Sequence, residues 1–85
     1  MEELKEVCRK ISILLDKEFP NQKYYTGVLK DIDTIIDKIY TSALIGEKYK
    51  VGINFNSLIR QFVDETTHFS SPIISELENL DQLLS

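Results

Sequence analysis

The chain has 85 residues, of which 42% are hydrophobic and 28% charged, and its formal net charge at pH 7 is -4. This length allows one domain with one core, and three Gly with two Pro exclude a loop-rich or low-complexity chain. No apolar run could span a bilayer, the N-terminus lacks the features of a signal peptide, and the single Cys8 excludes an internal disulfide, so we expect a cytoplasmic protein.

The first predicted helix covers residues 2–18 and stops before Pro20, which cannot continue a helix. Its apolar positions are three or four residues apart, which places them on one face of a helix. They are Leu4, Val7, Cys8, Ile11, Leu14 and Leu15. Because Cys8 belongs to this face, we predict a packed small hydrophobe rather than a reactive thiol.

The second predicted helix covers residues 24–44, where apolar residues keep heptad-like spacing for five turns and charged residues occupy the opposite face. Gly46 is predicted to cap its C-terminus. The apolar positions are Tyr25, Val28, Leu29, Ile32, Ile35, Ile36, Ile39, Tyr40 and Ala43.

Residues 47–56 alternate between apolar and polar side chains, which is a strand pattern. A lone strand has no partner in a chain that is otherwise helical. We therefore predict an extended, ordered connection whose apolar side chains lie against the helices. These side chains are Tyr49, Val51, Ile53 and Phe55.

The third predicted helix covers residues 55–69, with Asn54 or Asn56 as its N-cap. Its inward face is predicted to contain Phe55, Leu58, Ile59, Phe62, Val63, Thr66 and Phe69. The fourth covers residues 72–84, because Ser71 is a suitable N-cap and Pro72 falls on the first helical position. Leu83 lies at the edge of its apolar face.

Four helices with mostly short connections favour an all-α, antiparallel up-down four-helix bundle formed by residues 1–85 as one domain. The alternative is a three-helix core in which the fourth helix packs loosely or is swapped into a second copy.

The residues needed for catalysis or metal binding are scarce. The glycines are scattered, and there is one His and one Cys, so we expect no phosphate-binding loop, no metal site, no cofactor and no enzymatic activity. Glu65 and His68 match the Glu-x-x-His signature of di-iron bundles, but that site needs a second such motif and two more inward carboxylates. We interpret His68 as a C-terminal residue of the third helix, where its positive form suits the helix dipole.

Charge is unevenly distributed along the chain. Residues 1–60 hold all ten Lys and Arg, whereas residues 61–85 hold five acids and neither Lys nor Arg. The acidic third opposes binding to a nucleic acid, and acidic flanks on the fourth helix oppose direct membrane insertion. The acidic segment 61–85 is either a solvated surface or a means of selecting a partner by charge.

Three segments carry a resemblance to a known family: Val28–Ile32, Asp37–Tyr40 and Phe55–Val63. The last has two apolar residues, an Arg, a spacer and two more apolar residues, and Phe69 then precedes a short break and an apolar-acidic helix. In these features the chain resembles the enterocin A-type immunity proteins, which protect bacteria against pediocin-like bacteriocins. Many members carry a C-terminal tail beyond the fourth helix, which residues 1–85 do not include.

The resemblance implies an antiparallel four-helix bundle without enzymatic activity. It implies binding, from the cytoplasmic side, to the mannose phosphotransferase permease that bacteriocins use as a receptor, and a block of the lethal pore. The predicted partner-binding residues are Lys48, Tyr49, Lys50, Arg60, Asp64 and His68. The alternative interpretation of each is a solvated surface residue that binds no partner. The alternative function is a small helical adaptor or regulatory protein that dimerises through the fourth helix. We expect a monomer or a weak dimer.

Overall fold

A computed structural model describes residues 2–20, 27–47, 49, 52 and 54–84. It contains four α-helices, α1 (Glu2–Glu18), α2 (Gly27–Leu44), α3 (Phe55–Thr66) and α4 (Pro72–Leu84). No strand occurs among these residues, so the predicted all-α fold is confirmed. The predicted start of the second helix, residues 24–26, lies outside the described residues.

The helices run alternately up and down. Glu18 at the end of α1 contacts His68, which follows α3, and Ser71, which precedes α4. Val28 in the first turn of α2 contacts Glu65 in the last turn of α3. One end of the bundle, here called the Glu18 pole, therefore holds the ends of α1 and α3 and the starts of α2 and α4.

Each helix packs against two others in a closed ring: α1 against α2 and α4, and α3 against the same two. No Cα atoms of the described parts lie within 8 Å across the diagonals α1–α3 and α2–α4. This arrangement and the alternating directions are those of an antiparallel up-down four-helix bundle, as predicted.

The apolar faces of all four helices form one core. Cys8 of α1 is 3% exposed, which confirms its predicted packing. From α4, Ile73, Leu77 and Leu80 are all 0% exposed. The alternative of a loosely packed fourth helix therefore does not describe this chain.

The end of α2 is a Schellman motif built on Gly46, which confirms the predicted C-cap. Gly46 has φ +78°, a left-handed conformation that costs glycine little. Its N–H donates to the carbonyl of Ala43 at 3.1 Å, and the N–H of Glu47 donates to the carbonyl of Ser42 at 2.9 Å. Both bonds satisfy carbonyl groups that the helix itself leaves unpaired.

Of the two predicted N-caps of α3, Asn54 is the one used. Its side-chain oxygen accepts a hydrogen bond from the N–H of Ser57 at 3.1 Å. Phe55 follows as the first helical residue and is buried, as its alternating pattern predicted. Tyr49 is half-buried and also packs against the core, while Val51 and Ile53 lie outside the described residues.

The predicted end of the third helix at Phe69 is wrong, because α3 ends at Thr66. Thr67 adopts a left-handed conformation with φ 59°, and its N–H donates to the carbonyl of Val63 at 2.8 Å. This turn redirects the chain away from the helix axis. As a result Phe69, predicted to face inward, is 72% exposed.

The start of α4 is the one predicted. The hydroxyl oxygen of Ser71 accepts a hydrogen bond from the N–H of Ile73 at 3.1 Å, and Pro72 is the first helical residue. At the far end, Leu83 is half-buried and packs against the core.

Candidate interaction surface

His68 lies two residues beyond the end of α3, so its predicted place as a helix C-terminal residue is wrong; the left-handed Thr67 ends the helix first. Its Nδ1 atom is 3.2 Å from Oε1 of Glu18. Its ring stacks on Phe19 with centroids 4.7 Å apart and planes at 20°, and meets Phe62 edge-on at 6.5 Å. The half-buried imidazole is thus held against the Glu18 pole on two sides.

Glu18 joins three segments of the chain through its two carboxylate oxygens. Oε1 contacts His68, and Oε2 accepts a hydrogen bond from the hydroxyl of Ser71 at 2.9 Å. In a nucleophile–histidine–acid triad the histidine stands between the hydroxyl and the carboxylate. Here the carboxylate stands in the middle, so the serine proton is directed to Glu18. This cluster holds the Glu18 pole together.

The two residues of the Glu-x-x-His signature point to different partners. His68 contacts Glu18, whereas Oε1 of Glu65 accepts a hydrogen bond from the N–H of Val28 at 3.3 Å. Glu65 thereby places a negative charge at the N-terminus of α2, where the helix dipole favours it. No group of three or more His, Cys, Asp or Glu that could hold a metal is found among the described residues.

Arg60 and Asp64 lie one turn apart on α3, and both are exposed. No ion pair engages either side chain within the described part of the chain. Their charged groups are therefore presented to solvent, as a binding role requires.

Tyr49 lines a groove between α2 and α3 with a volume of about 410 Å³. It shares the groove with Asn54 and Ser57 at the start of α3. Lys48 and Lys50, the other predicted residues of this connection, lie outside the described residues.

The predicted site residues do not form one cluster. Tyr49 lies beside the start of α3 and His68 beyond its end, and a helix of 12 residues is about 18 Å long. Sequence reasoning also missed Glu18 as the shared partner of His68 and Ser71. Glu18 is 50 residues from His68 and 53 from Ser71 in sequence, and no local pattern connects positions that far apart.

A second cleft, of about 180 Å³, lies between α1 and α2. The Arg9 guanidinium donates to the hydroxyl of Tyr40 at 3.3 Å and lies 5.7 Å from its ring centroid. Burial raises the pKa of the Cys8 thiol, which lines this cleft, to about 11. The thiol is therefore protonated at neutral pH and a poor nucleophile.

The α1–α2 side of the bundle carries crowded negative charge. Desolvation raises the pKa of Asp33 above 3.8, and the nearby carboxylates of Asp37 and Asp16 raise it further. Another anion brought to this face would increase the repulsion.

Comparison of the chain with models of protein families, with curated proteins and with solved structures finds no match. None of the described helices is both long and apolar enough to cross a membrane.

Proposed function

We propose that this chain is a bacteriocin immunity protein. It protects the producing cell against a pediocin-like bacteriocin by binding, inside the cell, to the mannose phosphotransferase-type permease that serves as the receptor. Two facts support the proposal: the resemblance in sequence, and the four-helix bundle, which is the fold that the resemblance implies.

The observation that carries the proposal is the way in which the segment Phe55–Val63 lies on α3. Its two apolar pairs lie against the core: Leu58, Ile59, Phe62 and Val63. Between them, Arg60 is exposed. The pattern thus combines a packing face with one free cation, and a guanidinium can bind a partner carboxylate through two parallel hydrogen bonds.

This function needs contact and no reaction. A surface that binds the permease while the bacteriocin is engaged can hold the pore closed, provided that it binds the closed state more tightly than the open one. The exposed Arg60 and Asp64 on α3 are the candidates for this contact, with His68 and Phe69 at the Glu18 pole.

The test is a protection assay. The chain is expressed in a bacteriocin-sensitive strain, and the inhibitory concentration is measured against a panel of pediocin-like peptides. We expect a rise for at least one peptide and a smaller rise for Arg60→Ala. Asn56→Ala, also exposed on α3, is the matched control. If no peptide of the panel loses potency against cells that contain the folded protein, the proposal is overturned.

A second candidate function is a small helical adaptor or regulatory protein. It is favoured by Leu44 and Ile45, adjacent side chains that are 57% and 70% exposed at the end of α2. Such an adaptor would not dimerise through the apolar face of α4, since that face is buried within one chain. Sedimentation with Leu44→Ser/Ile45→Ser as the comparison distinguishes the two: association that this double change abolishes supports the adaptor.

A further inference from the structure

The groove between α2 and α3, here called the α2–α3 groove, has an apolar floor. Leu58 is 5% exposed, and Ile35 and Tyr49 are half-buried against the core. Among the described residues, the lining consists of Lys30, Asp31, Thr34, Ile35, Lys38, Tyr49, Asn54, Ser57, Leu58 and Gln61. The floor offers apolar and aromatic surface to a side chain that enters from solvent.

The two rims of the groove differ in charge. The α3 rim is neutral, with an asparagine, a serine and a glutamine, whereas the α2 rim holds Lys30 and Lys38 against one acid, Asp31. No ion pair engages either lysine within the described residues. The described lining is therefore net positive in a chain of net charge -4, and it differs in sign from the acidic α1–α2 side.

The spacing of the two lysines also fits a helix that carries two acidic side chains. Lys30, Thr34 and Lys38 follow one line along α2, and eight residues of helix separate the lysines by about 12 Å. Because α2 and α3 are antiparallel, Lys38 lies at the end of the groove near Asn54 and Lys30 at the end near Gln61. An α-helix with acids two turns apart presents carboxylates at nearly the same spacing.

We propose that the α2–α3 groove binds an acidic amphipathic helix of a partner protein. Two carboxylates of that helix pair with Lys30 and Lys38, and the apolar residues between them contact the floor at Ile35, Tyr49 and Leu58. The acidic α4 of a second copy is not this helix, because its own apolar face is buried. The inference rests on the proposed function in that a protein acting by contact needs such a surface.

The experiment is a titration of the ¹⁵N-labelled full chain, followed by NMR, with two synthetic helical peptides. One peptide carries two glutamates two turns apart with leucines between them, and the other carries lysines in place of the glutamates. We expect the acidic peptide to shift the amide resonances of residues 30–38 and 57–61, and the basic peptide to leave them unchanged. Lys30→Glu/Lys38→Glu weakens the binding of the acidic peptide by at least about tenfold, since two ion pairs become two repulsions.

The matched control is Lys10→Glu/Lys17→Glu, the same change of charge at two exposed positions of α1. This control variant should retain most of the affinity for the acidic peptide. The proposal is overturned if the groove resonances do not move, if both peptides bind equally, or if the two double variants lose affinity alike. The titration contains no bacteriocin, so peptide binding without protection overturns only the immunity role, and protection without peptide binding overturns only the groove.

Discussion

Cys8 is packed in the core, and its raised pKa has a consequence for stability at alkaline pH. The folded-state pKa is about 11 and the ordinary value is 9.0, so the folded state holds this proton more tightly than the unfolded state. The associated stability is complete below pH 9 and is lost as the pH rises towards 11. We expect about 2 kcal/mol less unfolding free energy at pH 10.5 than at pH 8 from this group alone.

Urea unfolding of the chain and of Cys8→Ala at both pH values measures this contribution. Every other ionisable group is the same in both proteins, so the difference between the two isolates the thiol. If Cys8→Ala loses as much unfolding free energy between pH 8 and pH 10.5 as the unchanged chain does, the thiol plays no part.

Thr67 is the non-glycine residue with positive φ among those described, and it is β-branched. The left-handed conformation costs such a residue about 1–2 kcal/mol, whereas glycine adopts it freely. We expect Thr67→Gly to raise the unfolding free energy by about 0.5 kcal/mol, after the greater entropy of glycine in the unfolded chain is subtracted. Thr66→Gly, one residue earlier within α3, should lower it. A loss of stability in both would mean that Thr67 is not strained.

At the scale of the helix, the ends that local chemistry determines were predictable. Three such ends are where the sequence predicts them: the end of α2 at Gly46, the start of α3 at Asn54, and the start of α4 at Ser71 and Pro72. Each of these residues acts within a few positions of its own. The end of α3 was not predictable, because Phe69 fits the helical spacing and a threonine rarely adopts a left-handed conformation.

Ser71 caps α4 and also donates to Glu18, so its removal affects two elements. We expect Ser71→Ala to lower the unfolding free energy by about 1–2 kcal/mol, and Ser70→Ala, its exposed neighbour, to change it by less than about 0.5 kcal/mol. A double-mutant cycle with Glu18→Ala, which removes the acceptor, separates the two roles. A coupling energy near zero would mean that the contact between α1 and α4 contributes nothing beyond the cap.

Gly27 begins α2 with φ +60°, and a Cβ atom there would lie 2.5 Å from Oε1 of Glu65. Gly27→Ala therefore adds backbone strain and displaces the carboxylate from the N-terminus of α2. We expect a loss of about 1–2 kcal/mol in unfolding free energy. Gly52→Ala is the control, since among the described residues no atom lies within 4 Å of a Cβ atom there. Equal effects of the two changes would contradict this account of Gly27.

At the scale of the whole molecule, two phenylalanines of α3 and its following turn have opposite environments. Phe62 is 0% exposed and Phe69 is 72% exposed. Phe62→Ala should lower the unfolding free energy by about 3–5 kcal/mol, which is a large part of the roughly 4–13 kcal/mol available to a chain of this size. Phe69→Ala should change it by less than about 0.5 kcal/mol. Thermal unfolding followed by circular dichroism compares them, and a large loss for Phe69→Ala would refute the exposed position.

The candidate surfaces were only partly predictable. The sequence shows that Arg60 and Asp64 lie on the polar side of a helix, and both are exposed. The contact of His68 with Glu18, and that of Glu65 with Val28, depend on which helix ends share a pole. That information comes from tertiary packing, so spacing along the chain cannot supply it.

The antiparallel packing of α1 against α4 places Glu3 and Leu83 in one groove, at the end of the bundle opposite the Glu18 pole. Force applied to the first and last helices through these neighbouring ends would peel α1 from α4 turn by turn, instead of sliding one along the other. Because peeling breaks few contacts at a time, the bundle should open at low force when it is pulled in this direction. A pull between Glu3 and Phe69, which lie at opposite ends, loads many contacts at once and should meet greater mechanical resistance.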